Sequence, residues 1–262
     1  MDLGLAGKAA AITGGSRGIG YATAHSLARE GARVLIAARS AERLEQAASE
    51  LSEATGGEIV PCQADVSQPE DVERVIQTAA QRFGRLDIFI SNAGTSFARS
   101  ILEVSDEQWR YDLDSKLMAA VRGARSAVPH LKLAGGGSII SVLNIGAKTP
   151  AARSVPTSVS RAAGMALTKA LSKELAPDRI RVNAVLIGLA RSWQHESRWL
   201  AGGQRQTLDS YYEELASKAG VPIGRICEAD EVGDLIAFLC SERASYLSGV
   251  AINMDGGLSN AV

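Results

Sequence analysis

Ala9-Ala10-Ala11-Ile12-Thr13-Gly14-Gly15-Ser16-Arg17-Gly18-Ile19-Gly20 joins a short apolar run to a glycine-rich turn and opens a helical segment. In that setting, glycines at 14, 18 and 20 let the backbone bend tightly, approach a pyrophosphate closely and pack the following helix on its strand. The stretch reads as a strand, a dinucleotide-binding turn and a helix.

Working outward, apolar runs at 9–13, 34–37, 59–63, 88–91, 138–142, 180–185 and 250–254 give seven candidate strands. Helix-length amphipathic segments at 41–55, 70–83, 106–133, 158–175 and 231–239 lie between them. Strands that alternate with crossover helices are buried on both faces, so the fold class is α/β, a parallel sheet with helices on both sides. Ser105 ahead of Asp106-Glu107-Gln108 marks a capped start for the long helix. Residues 188–220 break the alternation and contain Trp193, Trp199, His195, Tyr211 and Tyr212. An insertion near a strand end often covers a ligand, and these rings either line a site or hold the insertion on the domain.

With 46% hydrophobic and 22% charged residues and a net charge of -1, the chain has no global field to gather nucleic acid or anionic lipid. Cys62, Cys227 and Cys240 are scattered without metal or disulfide spacing, so a reduced, cytoplasmic protein with no metal is expected. No segment approaches about 18 uninterrupted apolar residues, and no membrane span is expected.

Three further strand ends strengthen the cofactor reading: Arg39 after the second, Asp65-Val66 after the third, and Asn92-Ala93-Gly94 after the fourth. With Ile180-Arg181-Val182-Asn183, Pro222-Ile223-Gly224-Arg225, Ser245-Tyr246-Leu247-Ser248-Gly249 and Asp255-Gly256-Gly257, the chain resembles the short-chain dehydrogenase/reductase family along nearly its whole length. The resemblance implies a single-domain Rossmann fold over residues 1–262, a seven-stranded parallel sheet, a nicotinamide cofactor, a small-molecule substrate and a homo-oligomer, dimer or tetramer. It implies that Gly14, Ser16, Gly18, Ile19 and Gly20 hold the phosphates, and that Asp65 and Val66 border the adenine. Asn92, Ala93 and Gly94 would form the ribose region, with Gly188 and Ser192 against the nicotinamide.

Charge selects the form of the cofactor. An acidic residue at the end of the second strand favours a bare ribose diol, whereas arginine favours a 2′-phosphate. Arg39 occupies that position, Arg17 can approach from the glycine turn and Ser40 adds a donor, so NADP(H) is expected over NAD(H).

The chemical half departs from the family. The tyrosine, lysine, serine and asparagine that the family uses align with Thr157, Arg161, Asn144 and Lys116, anchored by Gly137-Ser138-Ile139-Ile140 before them and Glu174-Leu175-Ala176-Pro177 after. A positioned acid or base is worth about 10² to 10⁴ in rate, and a threonine hydroxyl does not replace a phenol of pKa about 10. Arg161 can still donate to ribose hydroxyls but relays no proton. Lys116 is either a substitute proton donor, its charge disfavoured beside Arg161, or a filler of the space left by a lost water. Alternatively Lys116, Asn144 and Arg161 form an anion pocket. His195, Tyr211 and Tyr212 are further proton sources if the insertion closes.

Three functions follow: an NADP(H)-dependent oxidoreductase on a small carbonyl or conjugated, anionic substrate; a catalytically silent NADP(H)-binding sensor or scaffold; and a non-redox lyase or isomerase on the same fold.

Overall fold

The computed structural model describes residues 2–262. The chain runs β1 (Ala9–Thr13), α1 (Gly18–Arg29), β2 (Arg33–Ala38), α2 (Ala41–Thr55), β3 (Ile59–Gln63), α3 (Pro69–Phe83) and β4 (Ile88–Ser91). A two-residue strand β5 (Ala98–Arg99) precedes α4 (Asp106–Leu113), a π-helical turn (Asp114–Met118) and α5 (Ala119–Leu133). Then come β6 (Gly137–Asn144), β7 (Val155–Pro156), α6 (Thr157–Glu174), β8 (Ile180–Ile187), α7 (Trp193–Ala201), α8 (Leu208–Ala219), α9 (Ala229–Cys240) and β9 (Ala251–Met254).

The seven long strands form one parallel sheet in the order β3-β2-β1-β4-β6-β8-β9. Alternate residues of each strand feed opposite layers. Ile12, Ile36, Ile90 and Val185 face α1, α2 and α9 through Leu27, Leu44 and Ile236. Ala11, Leu35, Phe89 and Val182 face α3 and α5 through Ile76, Ala127 and Leu131. Because both faces are covered, the strands read as unbroken apolar runs rather than alternating ones. The strand order reverses between β1 and β4, which opens a crevice at the carboxyl ends of the strands.

The helix starts obey local chemistry. Ser105 accepts from the Gln108 amide at 3.4 Å while Gln108 Oε1 accepts from the Ser105 amide at 3.0 Å, the expected reciprocal cap. Three features differ from the sequence expectations. The helix expected over 106–133 is interrupted by the π-helical turn, whose widened winding carries Ser115 and Lys116 into the interior. β6 and β8 extend beyond 142 and 185, because Leu143 pairs with Leu186 and Asn144 with Ile187, and ladder pairing carries the strands into the crevice. β5 and β7 form a small antiparallel pair, too short to leave a periodic signal. Among the described residues no helix is long and apolar enough to cross a membrane, and no group of three metal-ligating side chains occurs.

Candidate active site

Thr13 ties the two diverging strands together at the crevice. Its hydroxyl donates to the Ile90 carbonyl at 3.3 Å and accepts from the Asn92 and Ala93 amides, each at 3.1 Å. The Asn92 side-chain amide donates to the Thr13 and Gly14 carbonyls, each at 3.0 Å, so those hydrogens shape the glycine turn instead of reaching toward a ribose. Gly14 has φ +72°, and a Cβ there would lie 2.9 Å from Ala93 Cα. A Cβ at Gly20 would lie 2.2 Å from the Gly14 carbonyl oxygen, so Gly20 permits helix packing and does not line the cleft. α1 begins without a side-chain cap and without an acidic residue in its first turn. Its unpaired amides and positive dipole end therefore face the crevice as an anion site.

Two cavities meet at this turn. The first, about 410 Å³, is bordered by Ser16, Arg17, Arg39, Ser40, Asp65 and Val66 as expected, and also by Arg43, Tyr111 and Ser115, which the sequence reading missed. Arg39 is exposed on its rim. Ser40 Oγ caps α2 by accepting from the Arg43 amide at 3.5 Å and keeps its own hydrogen to donate. Arg43 is held by Glu50 through two bonds of 3.1 Å. The Asp65 carboxylate accepts from Ser67 within its own turn, at 2.8 Å from the hydroxyl and 3.0 Å from the amide.

The second cavity, about 520 Å³, runs from Gly14, Ser16, Gly18 and Ile19 past Gly94 to Asn144, Arg161, Gly188 and Ser192. Its lining carries Arg17, Arg161, Arg198 and His195 and no carboxylate. The rigid glycine cradle, the uncapped helix start and this basic lining fit an extended phosphorylated ligand.

At the inner end the candidate catalytic residues separate into two groups. Asn144 and Arg161 border the cleft, and Lys116 and Thr157 do not. Asn144 Oδ1 is buried without a partner. Arg161 Nη1 donates to the Val142 carbonyl at 2.6 Å, and its Nε has no partner. Lys116 pairs with Asp112 one helical turn back, and donates to Thr157 Oγ1 at 2.5 Å. Asp112 also accepts from Ser160 at 2.7 Å, and Thr157 accepts from the Phe97 amide at 3.3 Å.

Lys116 therefore sits behind the cleft, in contact with a small void that Arg161 also borders. Of the two expectations for Lys116, a substitute proton donor or a filler of the space of a lost water, the structure gives its position only: behind the cleft and outside its lining. Burial lowers the Lys116 pKa to about 8, opposed by its bond to Asp112. The partner Asp112 was missed, although the Asp112-x-x-x-Lys116 spacing carried the signal.

The insertion at 188–220 folds as α7 and α8, and α7 lines the cleft through Trp193, Gln194, His195 and Arg198. Trp193 stacks on the Arg17 guanidinium at 4.1 Å, and Gln194 Oε1 accepts from the Ser96 amide at 3.2 Å. His195 borders the cleft with Nδ1 unpartnered, and burial, then Arg198, lowers its pKa. Tyr211 and Tyr212 lie on α8 itself and pack with Leu189, Val221 and Ile226, with Tyr212 donating to the Ser192 carbonyl at 3.4 Å, so neither lines the cleft.

Residues 14–259 match a family model described as Enoyl-(Acyl carrier protein) reductase. The chain is 35% identical over 254 residues to Dehydrogenase/reductase SDR family member 4 of Homo sapiens, across 97% of this chain and 88% of that one. Its fold is similar to L-sorbose reductase from Gluconobacter frateurii complexed with NADPH and L-sorbose, with TM-score 0.95, 37% identity and 100% of both chains covered. It is also similar to an NADPH-bound short chain oxidoreductase from Pseudomonas aeruginosa PAO1 containing an atypical catalytic center. There the TM-score is 0.91 and the identity 32%, over 98% of this chain and 99% of that one.

Proposed function

Since the chain belongs to the short-chain dehydrogenase/reductase family, we propose that it is an NADP(H)-dependent oxidoreductase with a rebuilt active site. Its substrate is a small, anionic carbonyl or conjugated compound. The observation that carries this reading is a cleft leading from an uncapped helix start to Arg161, lined by three guanidiniums and no carboxylate. The NADPH-bound structures of two similar proteins support it.

On this reading Ser16, Gly18 and Ile19 present backbone amides to the pyrophosphate, while the Gly14 amide donates to the Ala37 carbonyl at 2.7 Å and holds the turn against β2. Arg39, Arg17 and Ser40 hold the 2′-phosphate, with Asp65 and Val66 beside the adenine. Ala93, Gly94, Gly188 and Ser192 bound the nicotinamide end, where the cofactor supplies hydride when bound. Arg161 donates to ribose hydroxyls, and Asn144 orients the substrate oxygen. Arg198 and His195 receive the anionic end of the substrate.

Asn144 and Arg161 stabilise a developing negative oxygen, and neither releases a proton at neutral pH. A conjugated acceptor suits such a site best, because its enolate needs stabilisation more than an immediate acid, and water can supply the proton.

A second reading is a catalytically silent NADP(H)-binding protein, favoured by Thr157, which is only 3% exposed and lies outside the cleft. Self-association belongs to the main proposal: exposed Val159 on α6 and exposed Tyr246 offer apolar contacts, and sedimentation velocity reads the result.

Fluorescence titration with NADPH and NADH tests the cofactor, and NADPH oxidation on adding 2-oxo acids or enoates tests the chemistry. Tight NADPH binding with hydride loss supports the oxidoreductase. Binding without turnover across both classes supports the silent protein. No binding of either nucleotide overturns both readings.

A further inference from the structure

Arg161 is a half-buried guanidinium without a carboxylate of its own. Its one acceptor among the described residues is the Val142 carbonyl at 2.6 Å, and its Nε is unpartnered. The carboxylate that acts on it, Asp112, is already bonded to Lys116 and Ser160. Lys116 and Asp112 cancel, leaving Arg161 as the net charge of the cluster. Burial lowers the Arg161 pKa to about 10, so the guanidinium remains charged at neutral pH. The cleft it borders contains Arg17 and Arg198, of the same sign, and no acidic side chain.

We propose that Arg161 makes the cleft select the reduced over the oxidised form of the nicotinamide cofactor. The inference rests on the cofactor reading above. The ring of NADP⁺ is cationic and that of NADPH is neutral, while the adenosine halves are identical. An uncompensated guanidinium at the nicotinamide end therefore repels one form and not the other. Two like charges in contact range in a partly wet site change affinity by about ten-fold or more. The same discrimination favours turnover in the reductive direction, since the spent nucleotide leaves more easily than the fresh one.

The test is isothermal titration of the full-length protein with NADPH, NADP⁺ and 2′,5′-ADP, which carries the adenosine half alone. The expected result is NADPH binding at least about ten-fold tighter than NADP⁺. Arg161→Gln should bring that ratio close to one while leaving 2′,5′-ADP binding unchanged, and Arg161→Lys should preserve the ratio. Asn144→Asp supplies a compensating charge from the neighbouring strand end, and should narrow the ratio by strengthening NADP⁺ binding.

A ratio near one in the parent protein, with all three ligands bound, overturns the inference and leaves the cofactor reading intact. A ratio unchanged in Arg161→Gln that still binds 2′,5′-ADP, or unchanged in Asn144→Asp, removes the assignment to Arg161. If none of the three ligands binds the parent, the cofactor reading and the inference fail together.

Discussion

The Lys116 ammonium donates to the Thr157 hydroxyl at 2.5 Å inside a buried cluster completed by Asp112 and Ser160. Opposite charges at this depth are stable only as a set, because each has lost its water. The arrangement joins the π-helical turn to the start of α6 and braces the wall on which Arg161 sits.

Removing one member of the set should therefore cost more than removing the charges together. Lys116→Met leaves Asp112 unpaired, and a loss of about 3–5 kcal/mol is expected from equilibrium urea unfolding. The double variant Asp112→Asn, Lys116→Met should recover most of that loss. Equal destabilisation in the single and double variants would show that the pair contributes no coupling.

Lys116 also has a pH signature. Its folded pKa is about 8, below the ordinary 10.5, so the unfolded chain binds more protons between those values. The sign is that stability rises with pH across this window, by up to one proton's worth of slope, as the folded lysine gives up a charge that burial disfavours. The difference in unfolding free energy between the parent and Lys116→Met should grow from pH 8 to 10.5 and level off beyond it. A difference that is flat with pH would contradict the depressed lysine.

Arg39 is exposed on the rim of the adenosine cavity, where a 2′-phosphate would meet it. A charge-assisted hydrogen bond contributes about 1.5–3 kcal/mol. Arg39→Ala should accordingly weaken NADPH binding by about ten- to a hundred-fold and leave NADH binding unchanged. Equal effects on the two nucleotides in a fluorescence titration would remove Arg39 from 2′-phosphate recognition.

The Trp193 and Arg17 stack fastens α7 across the glycine turn at 4.1 Å. An exposed cation–π contact contributes about 0.5–1 kcal/mol. Trp193→Ala should speed NADPH release by about two- to five-fold in stopped-flow chase experiments. An unchanged release rate would mean that this stack does not hold α7 over the bound nucleotide.

The sheet was legible because buried parallel strands leave continuous apolar runs, as in β1 and β4, and because glycines 14 and 20 stand where the backbone has no room for a Cβ. The boundaries of β6 and β8 were not, since Leu143 and Asn144 extend only through pairing with Leu186 and Ile187. At the site, the position of Arg39 on the cavity rim could be read from its strand end, and that of Arg161 on the cleft from the family motifs that flank it. The burial of Lys116 could not, because it depends on a π-helical turn that local sequence does not encode, although its pairing with Asp112 was visible in their spacing. The contact of Trp193 with Arg17 joins residues far apart in the chain and has no local signal.

The enclosure of Thr157 also limits which side chains that position can hold. The space beside its hydroxyl is taken by Lys116 and the Phe97 amide, and the residue is 3% exposed. A tyrosine arriving there alone would overfill that space, at a cost of about 1–3 kcal/mol. Shortening Lys116 first would strand Asp112. A larger residue at 157 therefore requires coordinated changes at Lys116 and Asp112, which makes these three positions one packing unit.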